Sequence, residues 1–255
     1  MEIHGPDPLE VVTESPVPAT VSPSRWRTFL RARFSREGAV GLYLTVGFLG
    51  CAVLIALFGL LADSVFDLHG STPFDREITL AIQSFQSPAR DRLAHDVSFF
   101  GDHRFLLPAT LLVTAILAWR QQRVSALLFS GAVIGGWLLE TLLKIIYHRA
   151  RPALWPALVS EKTYSFPSGH ATMSTLFYGT VAALILHLSR NGTLRAAVLA
   201  LATVIVLSIC STRIYLGAHW TTDVLAGILV GLFWVVVCAT GTEFLARRKP
   251  RKKAG

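Results

Sequence analysis

Six long apolar stretches, at roughly 40–62, 105–119, 124–146, 171–189, 196–212 and 224–245, divide the chain, and each gives way to a short polar or charged segment. A membrane-crossing helix needs about 20 apolar residues. The second and fifth stretches are shorter than the rest, so their ends are the least defined. Hydrocarbon offers backbone amides no water, so each span must pair its own polar groups as a helix. The pattern predicts an all-α, polytopic membrane protein with a six-transmembrane-helix bundle. Between the first two spans lies a long connection, about 63–104. Within it, Phe74 to Phe85 and Leu93 to Phe100 carry apolar residues at spacings of three and four. That spacing predicts interfacial helices in this first extracytoplasmic loop, as a lid over a site or as plain surface helices.

Composition agrees with the pattern. Of the 255 residues, 52% are hydrophobic and 16% charged, against about a quarter charged in soluble domains. The domain reading is a disordered and basic cytoplasmic N-terminal segment over 1–37, one membrane domain over 38–246, and a basic cytoplasmic tail over 247–255. Residues 1–24 hold five prolines, four acids and no Arg or Lys, which fits disorder rather than a signal peptide. The net charge of +8 sits in the tails and short loops rather than on a folded polar face, so no nucleic acid partner is expected. Cys51, Cys210 and Cys238 all fall inside apolar runs, as small buried hydrophobes do. Four of the six tryptophans, Trp26, Trp119, Trp155 and Trp220, fall near predicted span ends as interfacial anchors would. Trp137 and Trp234 fall mid-span, where packing is expected.

Arg and Lys counts set the orientation. Fifteen lie in the N-terminal flank, the 2–3 and 4–5 connections and the C-terminal tail, against nine elsewhere. Both termini are predicted to be cytoplasmic, in the plasma (inner) membrane of a bacterium. The 3–4 and 5–6 connections then share the extracytoplasmic face.

Those two connections carry four polar clusters: Lys144 with Arg151-Pro152, Pro167-Ser168-Gly169-His170, Arg213, and His219 with Asp223. Ionisable residues at membrane depth are costly and mark function by default. Lys144 lies one helical turn after Glu140, so a self-neutralising i,i+4 pair is one reading. With Arg151 following after six intervening residues, a two-cation phosphate clamp is the other. Pro167 and Ser168 suit a helix start, while Gly169 lets an anion approach the helix N-terminus closely. His219 and Asp223, at i and i+4, share a helical face on which a carboxylate can orient an imidazole.

The three segments Lys144-x6-Arg151-Pro152, Pro167-Ser168-Gly169-His170 and Arg213-x5-His219-x3-Asp223 resemble the signature of the type 2 phosphatidic acid phosphatase superfamily. The resemblance covers about 140–227. One departure is Thr212, where the family commonly has Ser; the hydroxyl is retained. The resemblance implies a six-helix integral membrane phosphatase that acts on lipid phosphates with no metal and no cofactor. It also implies roles. Lys144, Arg151 and Arg213, with Ser168 and the Gly169 amide, would bind the phosphoryl oxygens. His219 would attack phosphorus to give a phosphohistidine, Asp223 would orient it, and His170 would protonate the leaving group. The expected partners are a lipid phosphate substrate and membrane lipids, with oligomeric state left open. Candidate substrates are a polyprenyl diphosphate such as undecaprenyl diphosphate, phosphatidic acid and phosphatidylglycerol phosphate, with a lean toward the diphosphate carrier. A phosphotransferase of the same superfamily and an anion transporter are the alternative functions; a vanadium-dependent haloperoxidase fits a membrane-spanning chain poorly.

Overall fold

A computed structural model describes residues 39–67 and 71–248, with side chains described over 44–67 and 71–242. Of two compact units, Met1–Leu42 and Tyr43–Gly255, the second contains all the described side chains. The expectations for residues 1–37, Trp26 among them, lie outside the described residues. So does the tail, apart from the helical backbone of 247–248.

The described residues form α1 (Ala39–Asp67), α2 (Pro73–Gln83), α3 (Pro88–Phe99), α4 (His103–Trp119), α5 (Arg123–Tyr147), α6 (Gly169–Leu188), α7 (Gly192–Tyr215) and α8 (Thr221–Arg248). No strand occurs among them. Among the described residues, six stretches are long and apolar enough to cross a membrane: Leu44–Asp67, Pro88–Trp119, Arg123–Tyr147, Gly169–Leu188, Gly192–Tyr215 and Thr221–Thr242. The expected fifth span gains a turn at each end. The second is longer than its apolar core, because α3 leads into α4 within the same stretch. Helix starts follow local chemistry. Asp102, Ser168 and Asn191 accept backbone N–H bonds at the N-termini of α4, α6 and α7, removing orphan donors. Thr72 and Asp75 form a reciprocal capping box that opens α2, with Pro73 in its first turn.

The bundle is built around α6, which packs against α5, α7 and α8. Between α4, α5 and α6 lie Leu106, Phe129, Val133 and Phe177; between α6, α7 and α8 lie Ala171, Val206, Cys210 and Val224. Small residues dominate the tightest contact. Gly227 and Gly231 of α8 approach the backbone of α6 so closely that a Cβ on either would stand under 3 Å from it. Membrane helices associate through this kind of close approach, since lipid tails compete with larger apolar side chains. Leu111, Leu127, Leu138 and Leu201 remain exposed, as lipid-facing positions should be.

Two tryptophan expectations are corrected. Trp220 is 6% exposed and donates its indole N–H to the Ala150 carbonyl at 3.2 Å, so it is a buried strut rather than an interfacial anchor. Trp137 is 56% exposed and faces outward. Trp234 does pack, donating to the Ala132 carbonyl at 2.8 Å. Sequence spacing locates a residue along a helix but leaves its side of the bundle open.

Candidate active site

The C-termini of α5 and α7 and the N-termini of α6 and α8 meet at one end of the bundle, and all eight residues singled out from sequence lie there. The Ser168 amide donates to the Asp223 carbonyl at 3.0 Å, joining the start of α6 to the start of α8. The Ser165 amide donates to the Arg149 carbonyl at 2.8 Å, folding the long α5–α6 connection back on itself.

Lys144, in the last turn of α5, makes the Glu140 pair that sequence allows and a second contact to the following loop. Its Nζ stands 3.1 Å from Glu140 Oε1 and donates to Thr163 Oγ1 at 3.2 Å. Arg151 reaches the same Thr163 hydroxyl at 3.2 Å and the Thr163 carbonyl at 2.8 Å, so the two cations converge on one loop residue. Gly169 borders this pair. A Cβ there would lie 2.7 Å from Glu140 Oε1 and 3.7 Å from Lys144 Nζ, and a side chain would fill the approach. Ser168 is fully buried, with its hydroxyl 3.5 Å from the Ala171 amide in capping geometry. His170 follows in the first turn of α6, its Nε2 3.9 Å from Asp102 Oδ2. His219 and Arg213 are near enough to act on His170 electrostatically.

Arg213 ends α7. It donates to Ser98 Oγ at 2.7 Å and to the Glu161 carboxylate, and its own carbonyl accepts the His219 amide at 3.3 Å. That backbone bond fixes His219 beside it. The imidazole is 2% exposed and held from both sides. Nδ1 stands 3.5 Å from Asp223 Oδ2, and Nε2 3.2 Å from an Arg151 nitrogen. Burial, reinforced by Arg151, Arg213 and Lys144, holds the His219 pKa well below its usual value. The ring is therefore neutral at neutral pH, with Nδ1 facing a carboxylate that can accept its proton in a hydrogen bond. The other nitrogen is turned toward the guanidinium of the expected clamp.

Several residues at this end were not singled out from sequence. Arg149 lies buried inside the six-residue spacer between Lys144 and Arg151, paired with both Asp223 and Asp75. Ser165 donates to the Asp223 carboxylate. Thr163 contacts Lys144 and Arg151, Glu161 and Ser98 contact Arg213, and Asp102 approaches His170. The capping box at Thr72 was readable as a helix start, but nothing in it announces that Asp75 also reaches a partner 147 positions away.

The fold and this convergence of polar side chains at one bundle end define a multi-pass membrane protein with a polar centre at that end. Residues 124–246 match the PAP2 superfamily, and the chain belongs to that family. It is 30% identical to phosphatidylglycerophosphatase B of Bacillus subtilis over 181 residues, spanning 71% of this chain and 89% of that one. Over 159 residues it is 30% identical to decaprenylphosphoryl-5-phosphoribose phosphatase of Mycobacterium tuberculosis, covering 60% and 82% of the two chains. A crystal structure of a transmembrane PAP2-type phosphatidylglycerolphosphate phosphatase from Bacillus subtilis superposes with a TM-score of 0.70. It is 28% identical and covers 78% of this chain and 98% of its own.

Proposed function

We propose that the chain is a lipid phosphate phosphatase that works through a phosphohistidine on His219 at the extracytoplasmic face of the plasma membrane, with both termini cytoplasmic. One observation carries the reading: a buried imidazole, its pKa held down by burial and the neighbouring cations, stands between the Asp223 carboxylate and the Arg151 guanidinium. An imidazole so placed has one nitrogen oriented by a base and the other turned toward an anion-holding group, the arrangement of an activated nucleophile.

The steps follow from that geometry. Lys144, Arg151 and Arg213 hold the phosphoryl oxygens, together with amides at the start of α6, where a helix N-terminus favours an anion. The His219 Nε2 lone pair forms the N–P bond as the P–O bond to the leaving group breaks. The imidazolium so formed keeps its Nδ1 proton toward Asp223. His170 gives its proton to the departing oxygen, releasing the lipid alcohol. A water then attacks phosphorus and passes a proton to His170, the N–P bond breaks, and inorganic phosphate leaves with both histidines restored. The demand throughout is positioning and charge stabilisation. Three fixed cations supply the charge, and they repel a metal ion from the phosphate position, which supports metal-independent catalysis.

The names of the two relatives support phosphate monoesters on lipids as substrates, and so shift the weight from a polyprenyl diphosphate toward phosphatidylglycerol phosphate and its kin. Side-by-side phosphate release from phosphatidylglycerol phosphate, phosphatidic acid and a polyprenyl diphosphate, all in EDTA, tests substrate and metal requirement together. Hydrolysis in EDTA and its abolition in His219→Ala are expected. Retained activity in that variant would overturn the nucleophile, and strict dependence on added metal would overturn the mechanism.

A further inference from the structure

Behind His219, on the side away from the clamp, lies a chain of fully buried charges that reaches the first loop. Asp223 Oδ2 accepts the Trp220 amide at 2.9 Å and the Ser165 hydroxyl, and Asp223 Oδ1 accepts from Arg149. With donors on both oxygens, Asp223 behaves as an acceptor-only carboxylate. Arg149 also donates to Asp75 Oδ2 at 2.8 Å and to Thr222 Oγ1 at 2.7 Å. Thr222 in turn donates its hydroxyl to Asp75 Oδ2 at 2.7 Å and its amide to Asp75 Oδ1 at 2.9 Å. Arg149 thus bridges two carboxylates, one on α8 facing His219 and one on α2. Its guanidinium is sandwiched near the Phe166 and Trp220 rings, 5.9 and 5.8 Å from their centroids.

We infer that Arg149 and Asp75 are positioning residues for the reaction, acting through Asp223 on His219, and that α2 is thereby a fixed wall of the catalytic centre rather than a lid. The inference rests on the nucleophile reading given above. Its physical basis is that Arg149 is the cation hydrogen-bonded to Asp223: Ser165 and the Trp220 amide hold Oδ2, Arg149 holds Oδ1, and together they fix the carboxylate that faces the imidazole. Arg149 in turn is centred by Asp75. Buried charge clusters of this kind tolerate few arrangements, because loss of any member leaves the others unpaired.

The electrostatics give a signature that packing alone would not. Asp75, Arg149 and Asp223 together carry one net negative charge toward His219. The ring is otherwise faced by Arg151, Arg213 and Lys144, with Ser165 against Nδ1, His170 across the site and Glu161 behind the two arginines. Asp75→Asn makes the trio neutral, so protonating His219 becomes harder and the acid limb of kcat/KM moves to lower pH. Thr222→Ala keeps every charge and removes only one hydroxyl bridge, so its limb stays in place.

Steady-state kinetics of the full chain in detergent or nanodiscs, normalised to active sites titrated with orthovanadate, test this. For Asp75→Asn, kcat is expected to fall on the order of 10- to 100-fold, as a misplaced reacting group does, with the vanadate inhibition constant within about twofold of wild type. The acid limb shifts downward. For Thr222→Ala, kcat falls several-fold with an unmoved limb. Wild-type kcat and limb in folded Asp75→Asn would overturn the inference, as would a loss that is equal at every pH. If Asp75→Asn does not fold, Thr222→Ala decides, and wild-type kcat there overturns it. His219→Ala separates the two readings: activity in that variant defeats the nucleophile assignment itself, whereas an inactive His219→Ala beside a wild-type-like Asp75→Asn defeats only the positioning role.

Discussion

The Glu161 carboxylate accepts a hydrogen bond from the Arg213 guanidinium, although Arg213 is one of the three cations assigned to phosphate. An incoming phosphoryl group and Glu161 compete for the same donor. Removing the charge in Glu161→Gln should therefore strengthen anion binding. The gain is bounded, since the Glu161 side chain is 30% exposed and a partly exposed ion pair is worth only about 0–1 kcal/mol. The competitive inhibition constant for orthovanadate is expected to fall by at most about fivefold. A weaker inhibition in the variant would mean that Glu161 helps to aim Arg213 instead.

A second expectation concerns pH. Burial, then the neighbouring Arg151, Arg213 and Lys144, holds His219 below the ordinary 6.5 of an imidazole. The unfolded chain binds a proton here below pH 6.5 and the folded chain does not, so this group weakens the fold as pH falls through that value. As the proposed nucleophile, His219 behaves the other way. It stays neutral and competent below pH 6.5 and is lost only when the folded ring finally protonates. A profile of kcat/KM against pH should place its acid limb beneath 6.5; a limb at or above that value would contradict the assignment.

His170 is tested through the leaving group. A general acid contributes about 10²- to 10⁴-fold when the departing oxygen is a poor leaving group. A p-nitrophenolate needs little protonation. His170→Ala should therefore lose most of its activity on phosphatidic acid or phosphatidylglycerol phosphate while keeping a much larger share on p-nitrophenyl phosphate. Equal losses on all three would assign His170 to phosphate binding rather than proton transfer.

Much of this centre was legible in the sequence because its defining contacts are local. The i,i+4 spacing of His219 and Asp223 becomes a 3.5 Å approach. The same spacing of Glu140 and Lys144 becomes a 3.1 Å pair, the self-neutralising contact that this spacing allows. The number of spans was legible too, because hydrocarbon imposes a minimum apolar length on every helix, whereas the limits of the second and fifth were not. What stayed hidden is long-range. Arg149 occupies a spacer where any residue fits the motif, and its partner Asp75 lies across the fold. Glu161 sits in an irregular loop whose path no periodicity reveals. Trp220 shows the same limit: its position near a helix end was readable, but its inward direction was set by the Ala150 carbonyl.

The last expectation tests how the halves of the centre are held together. His170 belongs to α6, and His219 and Asp223 lead into α8, so the distance between the proposed proton donor and the proposed nucleophile is set by the packing of these two helices. At their closest approach, a Cβ on Gly227 would lie 2.7 Å from the Ser168 carbonyl oxygen, 2.8 Å from Ala171 Cβ and 3.1 Å from the Thr172 amide. Two of these are backbone atoms, which cannot rotate aside. Gly227→Ala must therefore push α6 from α8 and stretch the 3.0 Å bond from the Ser168 amide to the Asp223 carbonyl. Overpacking of this kind costs about 1–3 kcal/mol, and the displaced histidines should lower kcat more than anion affinity. Gly131 is the control, because a Cβ there meets nothing within 4 Å. Gly131→Ala in the same bundle should be neutral or stabilising by about 0.5–1 kcal/mol, the helix preference of Ala over Gly. Thermal denaturation in detergent with parallel activity measurements distinguishes the two sites. If both variants behave alike, close approach at Gly227 is not what sets the geometry between His170 and His219.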